Sequence, residues 1–180
     1  MGTDKAMLDF RGKPLILHAL EQFSGFTEIL ISAADTDLYA FTGFTIVPDE
    51  SPGMGPLGGF ISVLKAASFE SVCFRPVDAP FVPHELHTIL ASACAGKDAV
   101  VPVYNGYPEP LLACLSKSSL PILDKFAAEG EYKAAAVFPL LDTYYVDLDA
   151  PEIFTAFGDP AEYLVNANDP DTFSKLRKRL

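Results

Sequence analysis

Cysteine is scarce in this chain of 180 residues: Cys73, Cys94 and Cys114 are odd in number, with no Cys-X-X-Cys pair and no histidine at metal-ligand spacing. That pattern excludes a disulfide framework and a zinc site built on cysteine pairs, and three buried thiols of a reducing compartment are expected instead. Basic residues are also few, 13 lysines and arginines against 24 acidic residues, for a net charge of −11. A nucleic-acid or anionic-membrane surface needs a basic field, which this chain offers only at Lys175, Arg177, Lys178 and Arg179, where the last turn of a solvated helix is the ordinary use. No apolar run is long enough to cross a bilayer, and the amino terminus lacks a charged-then-apolar leader. A cytoplasmic protein with no nucleic acid and no membrane among its partners is expected.

What the chain has in quantity is apolar residues, 49% of the total, enough for one globular domain over 1–180 with a substantial core. After an irregular start, a helix is predicted from Pro14 to near Gly25 and a strand over Glu28–Ala33. Asp35 is read as the cap of a short helix through Phe41, and Phe44–Val47 as a short strand. The segment from Pro48 to Gly59 holds four glycines and three prolines and leads into a helix through Ala67. Val72, Cys73 and Phe74 read as a buried strand that stops at Pro76. Pro83–Cys94 is an amphipathic helix whose His84 and His87 are expected on a solvated face. Asp98–Val103 is a strand, Asn105-Gly106 a tight hairpin turn and Leu111–Leu115 its return arm. Ser119–Ala128 and Tyr132–Val137 are helical, Thr143–Val146 is a strand, and the chain closes through Glu162–Asn168 and a last helix from Asp169-Pro170. Strands alternating with helices predict a three-layer α/β/α sandwich, Rossmann-like, with a mostly parallel sheet and one antiparallel hairpin.

In such a sheet, ligands collect beyond the carboxyl ends of the strands. The segments gathered there would be Ser32-Ala33, Pro48–Gly59, Pro76–Phe81 and the Asn166 region. Asp78 is delivered to that edge by a stiff Asp-Ala-Pro turn, where a carboxylate can hold a metal ion; shaping the turn, or capping the helix near Pro83, remains the plain alternative. The Gly- and Pro-rich loop before a helix exposes backbone N–H groups with little side-chain obstruction, more than a turn alone requires.

Five segments in order resemble one family, the molybdenum cofactor guanylyltransferases of the nucleotidyltransferase fold group (nucleotide-diphospho-sugar transferase-like). Met1-Gly2-Thr3-Asp4-Lys5 matches the second half of the family's Arg-Met-Gly-X-Asp-Lys, and Gly12-Lys13-Pro14-Leu15 its Gly-Lys-Pro-Leu. Asp49 before Gly55-Pro56-Leu57-Gly58-Gly59 resembles the guanine-recognition loop. Asp78-Ala79-Pro80 resembles the metal-binding Asp-X-Pro, and Asn166-Ala167-Asn168-Asp169-Pro170 the segment near the carboxyl end. The family's first strand and phosphate loop, Leu-Ala-Gly-Gly-X-Ser-X-Arg, would precede Met1, so the chain is expected to be truncated at its amino terminus relative to the family. A sheet without that strand would expose an edge or a groove on each neighbour. Ser32 stands where the family often offers an Asn to the nucleotide.

The resemblance implies transfer of GMP from GTP to molybdopterin with release of pyrophosphate. It implies Asp78 as ligand of Mg2+ and Lys5 as the ammonium that neutralises the phosphates. Asp49 and Gly55 would read guanine, Ser32 would face the nucleotide, and Asn166 and Asn168 the pterin substrate's phosphate. Contacts with other cofactor-assembly proteins are implied as well. Two alternatives remain open at this level: a related cytidylyl- or sugar-phosphate nucleotidyltransferase, and a non-catalytic fragment or pterin-binding partner that lacks the phosphate loop.

Overall fold

The computed structural model describes residues 4–23, 25–49, 53–166 and Phe173. The chain opens with a 3-10 turn, Lys5–Met7, and a minimal antiparallel ribbon of β1 (Asp9–Phe10) and β2 (Lys13–Pro14). Helix α1 (Leu15–Glu21) follows, then β3 (Leu30–Ala33), a 3-10 helix over Asp37–Thr42, and β4 (Thr45–Pro48) parallel to β3. Asp35 accepts hydrogen bonds from the backbone N–H groups of Asp37 and Leu38, the capping role its position predicts.

Helix α2 (Pro56–Ala66) starts on Pro56 at its first position and buries Leu57, Phe60, Ile61 and Leu64, a stripe at helical spacing. It leads to β5 (Ser71–Cys73), then α3 (His84–Ala93) and β6 (Ala99–Tyr104). The turn Asn105-Gly106 has both residues at positive φ, 49° and 75°, as a tight hairpin requires. Its return arm is only β7 (Tyr107–Pro108); the predicted arm over Leu111–Leu115 is divided between a 3-10 turn at Pro110–Leu112 and β8 (Cys114–Ser116). Pro110 breaks the arm, and the chain re-enters the sheet at Cys114. Helices α4 (Leu120–Ala128) and α5 (Ala134–Val137), strand β9 (Thr143–Asp147), and helices α6 (Pro151–Phe157) and α7 (Pro160–Tyr163) complete the described chain. The Pro151 helix was absent from the sequence reading, because no buried stripe marks it. The predicted last helix from Asp169 lies outside the described residues.

Strand β6 is the hub: it pairs with β7 and β8 antiparallel and with β9 parallel, while β5 pairs with the far side of β8. By direction β5, β6 and β9 therefore run one way, with β8 and the hairpin arm reversed. Alternation along the hub divides the core. Ala99 and Val101 face α2, α4 and α5 together with Leu115, Leu123 and Phe138; Val100 faces Leu86, Leu90, Cys114, Val146 and Leu148. Helices thus cover both faces of the sheet, the three-layer arrangement expected.

Strands β3 and β4 form a separate two-stranded ladder. Glu28, just ahead of β3, accepts from the backbone N–H and the hydroxyl of Ser68, just ahead of β5, at 2.9 and 2.7 Å. At the other end Ala33, the last residue of β3, and Val77, beyond β5, meet in one apolar cluster with Ala6, Ile31 and Tyr39. Strands β3 and β5 consequently point the same way without being hydrogen-bonded to each other. Between them lies a cavity of about 560 Å³. This is why β5, predicted as a buried strand, is half-buried along its whole length.

Two further expectations meet the structure differently. Cys94 and Cys114 are buried free thiols, whereas Cys73 is only partly covered. Of the two histidines expected on a solvated face, His84 is exposed, but His87 is fully buried under Phe23. The apolar stripe of α3 at Leu86 and Leu90 carries His87 inward beside it.

Candidate active site at the carboxyl edge of the sheet

Asp78 stands in the turn after β5, and the turn is held from two sides. Arg75 Nη2 donates to the Ala79 carbonyl at 2.9 Å, and Gln22 Nε2, just beyond α1, donates to the Pro80 carbonyl at 2.8 Å. Helix α3 begins at His84 with Pro83 as its cap and no side-chain capping bond, so Asp78 does not serve as its cap. A carboxylate on a clamped turn at the strand's carboxyl end is pre-positioned for a ligand.

Lys5 meets it there. Its ammonium lies 3.3 Å from Asp78 Oδ2, with side-chain exposures of 36% and 19%, so that the pair is reachable from solvent but partly shielded. Asp4 fixes the backbone beneath Lys5: one oxygen accepts from the Ala6 N–H at 2.9 Å and the other from the Tyr39 hydroxyl at 2.6 Å. Burial, reinforced by the Asp4 carboxylate, drives the Tyr39 phenol well above its ordinary range, which keeps it a donor. Tyr39 belongs to the 3-10 helix that follows β3, so Lys5 is tied to the β3 side of the molecule while touching the β5 side.

The second group of expected residues gathers around β3, β4 and the start of α2. The backbone N–H of Asp49 donates to the Ala33 carbonyl at 3.3 Å, fixing the Asp49 backbone just past the ends of the parallel pair. Gly55 caps α2 at φ 56° and ψ −144°, a backbone state that only glycine takes without strain. Ser32 is exposed, and a Cβ placed on Gly59 would lie 3.0 Å from its hydroxyl, so the missing side chain lets the helix approach β3 closely. Asn166 is half-buried; its neighbour Val165 packs in one apolar cluster with Phe10 and Leu15 and with Val77 and Phe81 of the segment that holds Asp78. Asn168 lies outside the described residues.

The structure therefore joins Lys5 to Asp78 directly and Ser32 to the loop that starts α2. It links the two groups through Tyr39 and Asp4. Sequence reasoning missed Tyr39, Gln22 and Arg75. Arg75 alone left a signal, a charge at the end of an apolar strand. It stacks over Phe23, and burial lowers it to about 10. Glu109, ahead of Pro110, is raised above the ordinary carboxylate range by burial.

Among the described residues no group of three histidine, cysteine or acidic side chains forms a closed metal cage. A lone, partly exposed carboxylate suits Mg2+, which keeps water and substrate phosphates as most of its ligands.

Known proteins resemble this chain over nearly its whole length. A probable molybdenum cofactor guanylyltransferase of Carboxydothermus hydrogenoformans is 30% identical over 179 residues, covering 99% of this chain and 89% of that protein. The molybdenum cofactor guanylyltransferase of Vibrio cholerae is 29% identical, covering 89% of this chain and 81% of that one. The crystal structure of molybdopterin-guanine dinucleotide biosynthesis protein A from Archaeoglobus fulgidus superposes with a TM-score of 0.83 at 26% identity, over 98% of this chain and 90% of that one. The fold recurs at 17% identity and TM-score 0.68 in 2-C-methyl-D-erythritol 4-phosphate cytidylyltransferase from Thermus thermophilus, over 96% and 92% of the two chains. The model of the MobA-like NTP transferase domain matches residues 1–143, which takes in every element from the Lys5 turn to the start of β9, and the chain belongs to that family.

Proposed function

We propose that this nucleotidyltransferase moves a GMP unit from GTP to the terminal phosphate of molybdopterin. A phosphate oxygen of the acceptor attacks the α-phosphorus of GTP, and the bond from that phosphorus to the β-phosphate oxygen breaks with its electron pair leaving on pyrophosphate. Two anions must be brought together, which calls for fixed positive charge more than for an acid or a base. The single observation that carries the reading is the Lys5–Asp78 contact on a clamped turn at the carboxyl edge of the sheet.

Bound to Asp78, Mg2+ would supply charge neutralisation across the triphosphate. Lys5 would neutralise charge on the phosphates, and the Asp4–Tyr39 bond holds its backbone in place for that role. Asp49 serves as the acceptor for the N1–H and amino edge of guanine, beside the open backbone of Gly55. Ser32 donates to the nucleotide, and Asn166 and Asn168 to the phosphate of the pterin.

Thermal shift and calorimetry with GTP and with CTP, each with Mg2+ at millimolar concentration, test the assignment on the chain and on Asp49→Ala and Asp78→Asn. GTP is expected to stabilise the protein more than CTP; Asp49→Ala should erase that preference, and Asp78→Asn the part of the shift that needs Mg2+. A preference for CTP would remove Asp49 from the base site.

A further inference from the structure

We infer that Cys73 and Cys114 are a peroxide-responsive dithiol, a modification site whose two thiols close to a reversible disulfide across β5 and β8. The inference concerns the sheet behind the candidate active site and is independent of the nucleotide chemistry proposed above. In the antiparallel ladder of β5 and β8 the two residues stand directly opposite each other. The backbone N–H of Phe74 donates to the Ala113 carbonyl and that of Lys117 to the Glu70 carbonyl, both at 2.8 Å. Phe74–Ala113 and Glu70–Lys117 are therefore hydrogen-bonded pairs, and by alternation Cys73–Cys114 is a pair without hydrogen bonds. Such pairs are where antiparallel strands come closest, with Cα atoms about 4.5 Å apart, inside the range of about 4.4–6.8 Å that a disulfide spans.

The side chains meet as well. Cys73, Cys94 and Cys114 pack in one apolar cluster with Leu86 and Leu90 of α3. The Cys114 thiol is in hydrogen-bond contact with the thiols of both Cys73 and Cys94, and the contact with Cys73 does most to raise it above its ordinary range. Cys73 Sγ donates to the His87 carbonyl at 3.6 Å, and Cys94 Sγ to the Cys114 carbonyl at 3.8 Å. Cys94 and Cys114 are buried, whereas Cys73 is partly exposed, so Cys73 is the thiol that an oxidant meets and Cys114 the neighbour that resolves it. Cys94 caps the carboxyl end of α3, and no strand register fixes its backbone against Cys114.

A half-covered thiol needs a small two-electron oxidant, and hydrogen peroxide is of that class. The Cys73 sulfur attacks one peroxide oxygen, the O–O bond breaks, and the departing hydroxide takes the thiol proton as water. Cys73 is left as a sulfenic acid. The Cys114 sulfur then attacks the Cys73 sulfur, the S–O bond breaks, and the hydroxide that leaves takes the Cys114 proton as a second water. Two thiols are oxidised to a disulfide while one peroxide is reduced to two waters. The loop so closed contains the Asp78 turn, α3 and β6, and oxidation ties the strand that delivers Asp78 to its neighbour. Cβ atoms of opposed strand residues, about 4.5 Å apart, close to about 3.8 Å in a disulfide, and the strain of that movement keeps the bond reducible.

The test treats the folded, fully reduced full chain with millimolar hydrogen peroxide and reads free thiols, intact mass and disulfide-linked peptides. The expected product is a monomer lighter by two hydrogen atoms, with one thiol left free and the Cys73 and Cys114 peptides joined, and a small dithiol should restore the starting mass. Cys94→Ala should give the same joined peptides. Cys114→Ala should stop at a Cys73 sulfenic acid that dimedone traps, and Cys73→Ala should leave Cys114 reduced. In urea, loop closure favours the nearer pairings through Cys94, so the yield of the Cys73–Cys114 bond should fall; an unchanged yield there counts against the native ladder as its cause. A Cys94–Cys114 bond in the folded chain, a dimer joined through Cys73, or three thiols that stay reduced overturns the inference. None of these readouts involves nucleotide, so failure here and failure of the transferase reading are separable.

Discussion

At the scale of single residues, the site is a set of side chains held by neighbours that the sequence did not announce. Lys5 and Asp78 were legible because short motifs surround them. Tyr39, which fixes Asp4, and Gln22, which fixes the Asp78 turn, were not, because each acts on a residue distant in the chain and no local pattern records the contact. His87 is the instructive error. Helical spacing put it on the same face as His84, yet it is fully buried, stacked edge-on with Phe23, and neither ring nitrogen makes a hydrogen bond among the described residues. Burial, with the Arg75 guanidinium adding to it, lowers His87 to about 4, while the Pro83 and Phe74 carbonyls pull weakly the other way. The unfolded chain, with its histidine near 6.5, binds the proton first as pH falls. Stability is therefore undiminished above about pH 6.5 and is lost progressively as pH drops from there toward 4. Between pH 7 and 4.5 this one group should cost the native chain about 2 to 3 kcal/mol. Urea unfolding of the chain and of His87→Leu at the two pH values measures the difference. Equal acid losses in the two proteins would dismiss the role of His87.

At the scale of elements, the helices and strands with a buried stripe were read within a few residues, and those without one were not. Helix α2 announced itself by Pro56, a glycine cap and the Leu57-to-Leu64 stripe. Helix α6 has no buried residue, so periodicity had nothing to report. Similarly, the hairpin turn at Asn105-Gly106 was plain, but the break in its return arm depends on where Pro110 falls against the ladder. The close approach of α2 to β3 makes a quantitative test. In Gly59→Ala the new methyl group would sit 3.0 Å from the Ser32 hydroxyl, while Ser32 Cβ would be at 3.9 Å, an ordinary contact. Alanine in a helix interior otherwise stabilises by about 1 kcal/mol over glycine. Gly59→Ala alone should gain less than this or destabilise, and Gly59→Ala with Ser32→Ala should recover the full amount. Denaturant unfolding of the four proteins in the cycle gives the coupling, and strict additivity would mean that the crowding is relieved in some other way.

At the scale of the whole molecule, the β3–β4 ladder and the five-stranded sheet pack on common helices without sharing a strand. The cavity of about 560 Å³ between them is open to solvent, not an enclosed void. Water therefore enters between the β3–β4 ladder and the larger sheet, and the two need not open together. Native-state hydrogen exchange should show the β3–β4 ladder opening at lower denaturant than the ladder of β6 and β9, whose Ala99 to Val101 are fully buried. A single common opening for both ladders would show that the helices alone couple them. The fold class, and from the resemblance an edge or groove exposed beside a missing strand, were readable, while the identity of the strands that flank the cavity was not, for one cause. Alternation of strands and helices is written along the chain, whereas which edges meet is decided by partners far apart in it.

Strand β6 has a consequence in time. Its pairing with β7 closes across a two-residue turn, whereas its pairing with β9, and that of β5 with β8, must wait for distant stretches of chain to return. A hairpin of this kind forms in about 1–10 μs, and pairings between distant stretches are intrinsically slower. Stopped-flow refolding of this protein is therefore expected to be limited by its long-range joints, so that a substitution weakening the Asn105-Gly106 turn should change the refolding rate less than one weakening the β6–β9 pairing.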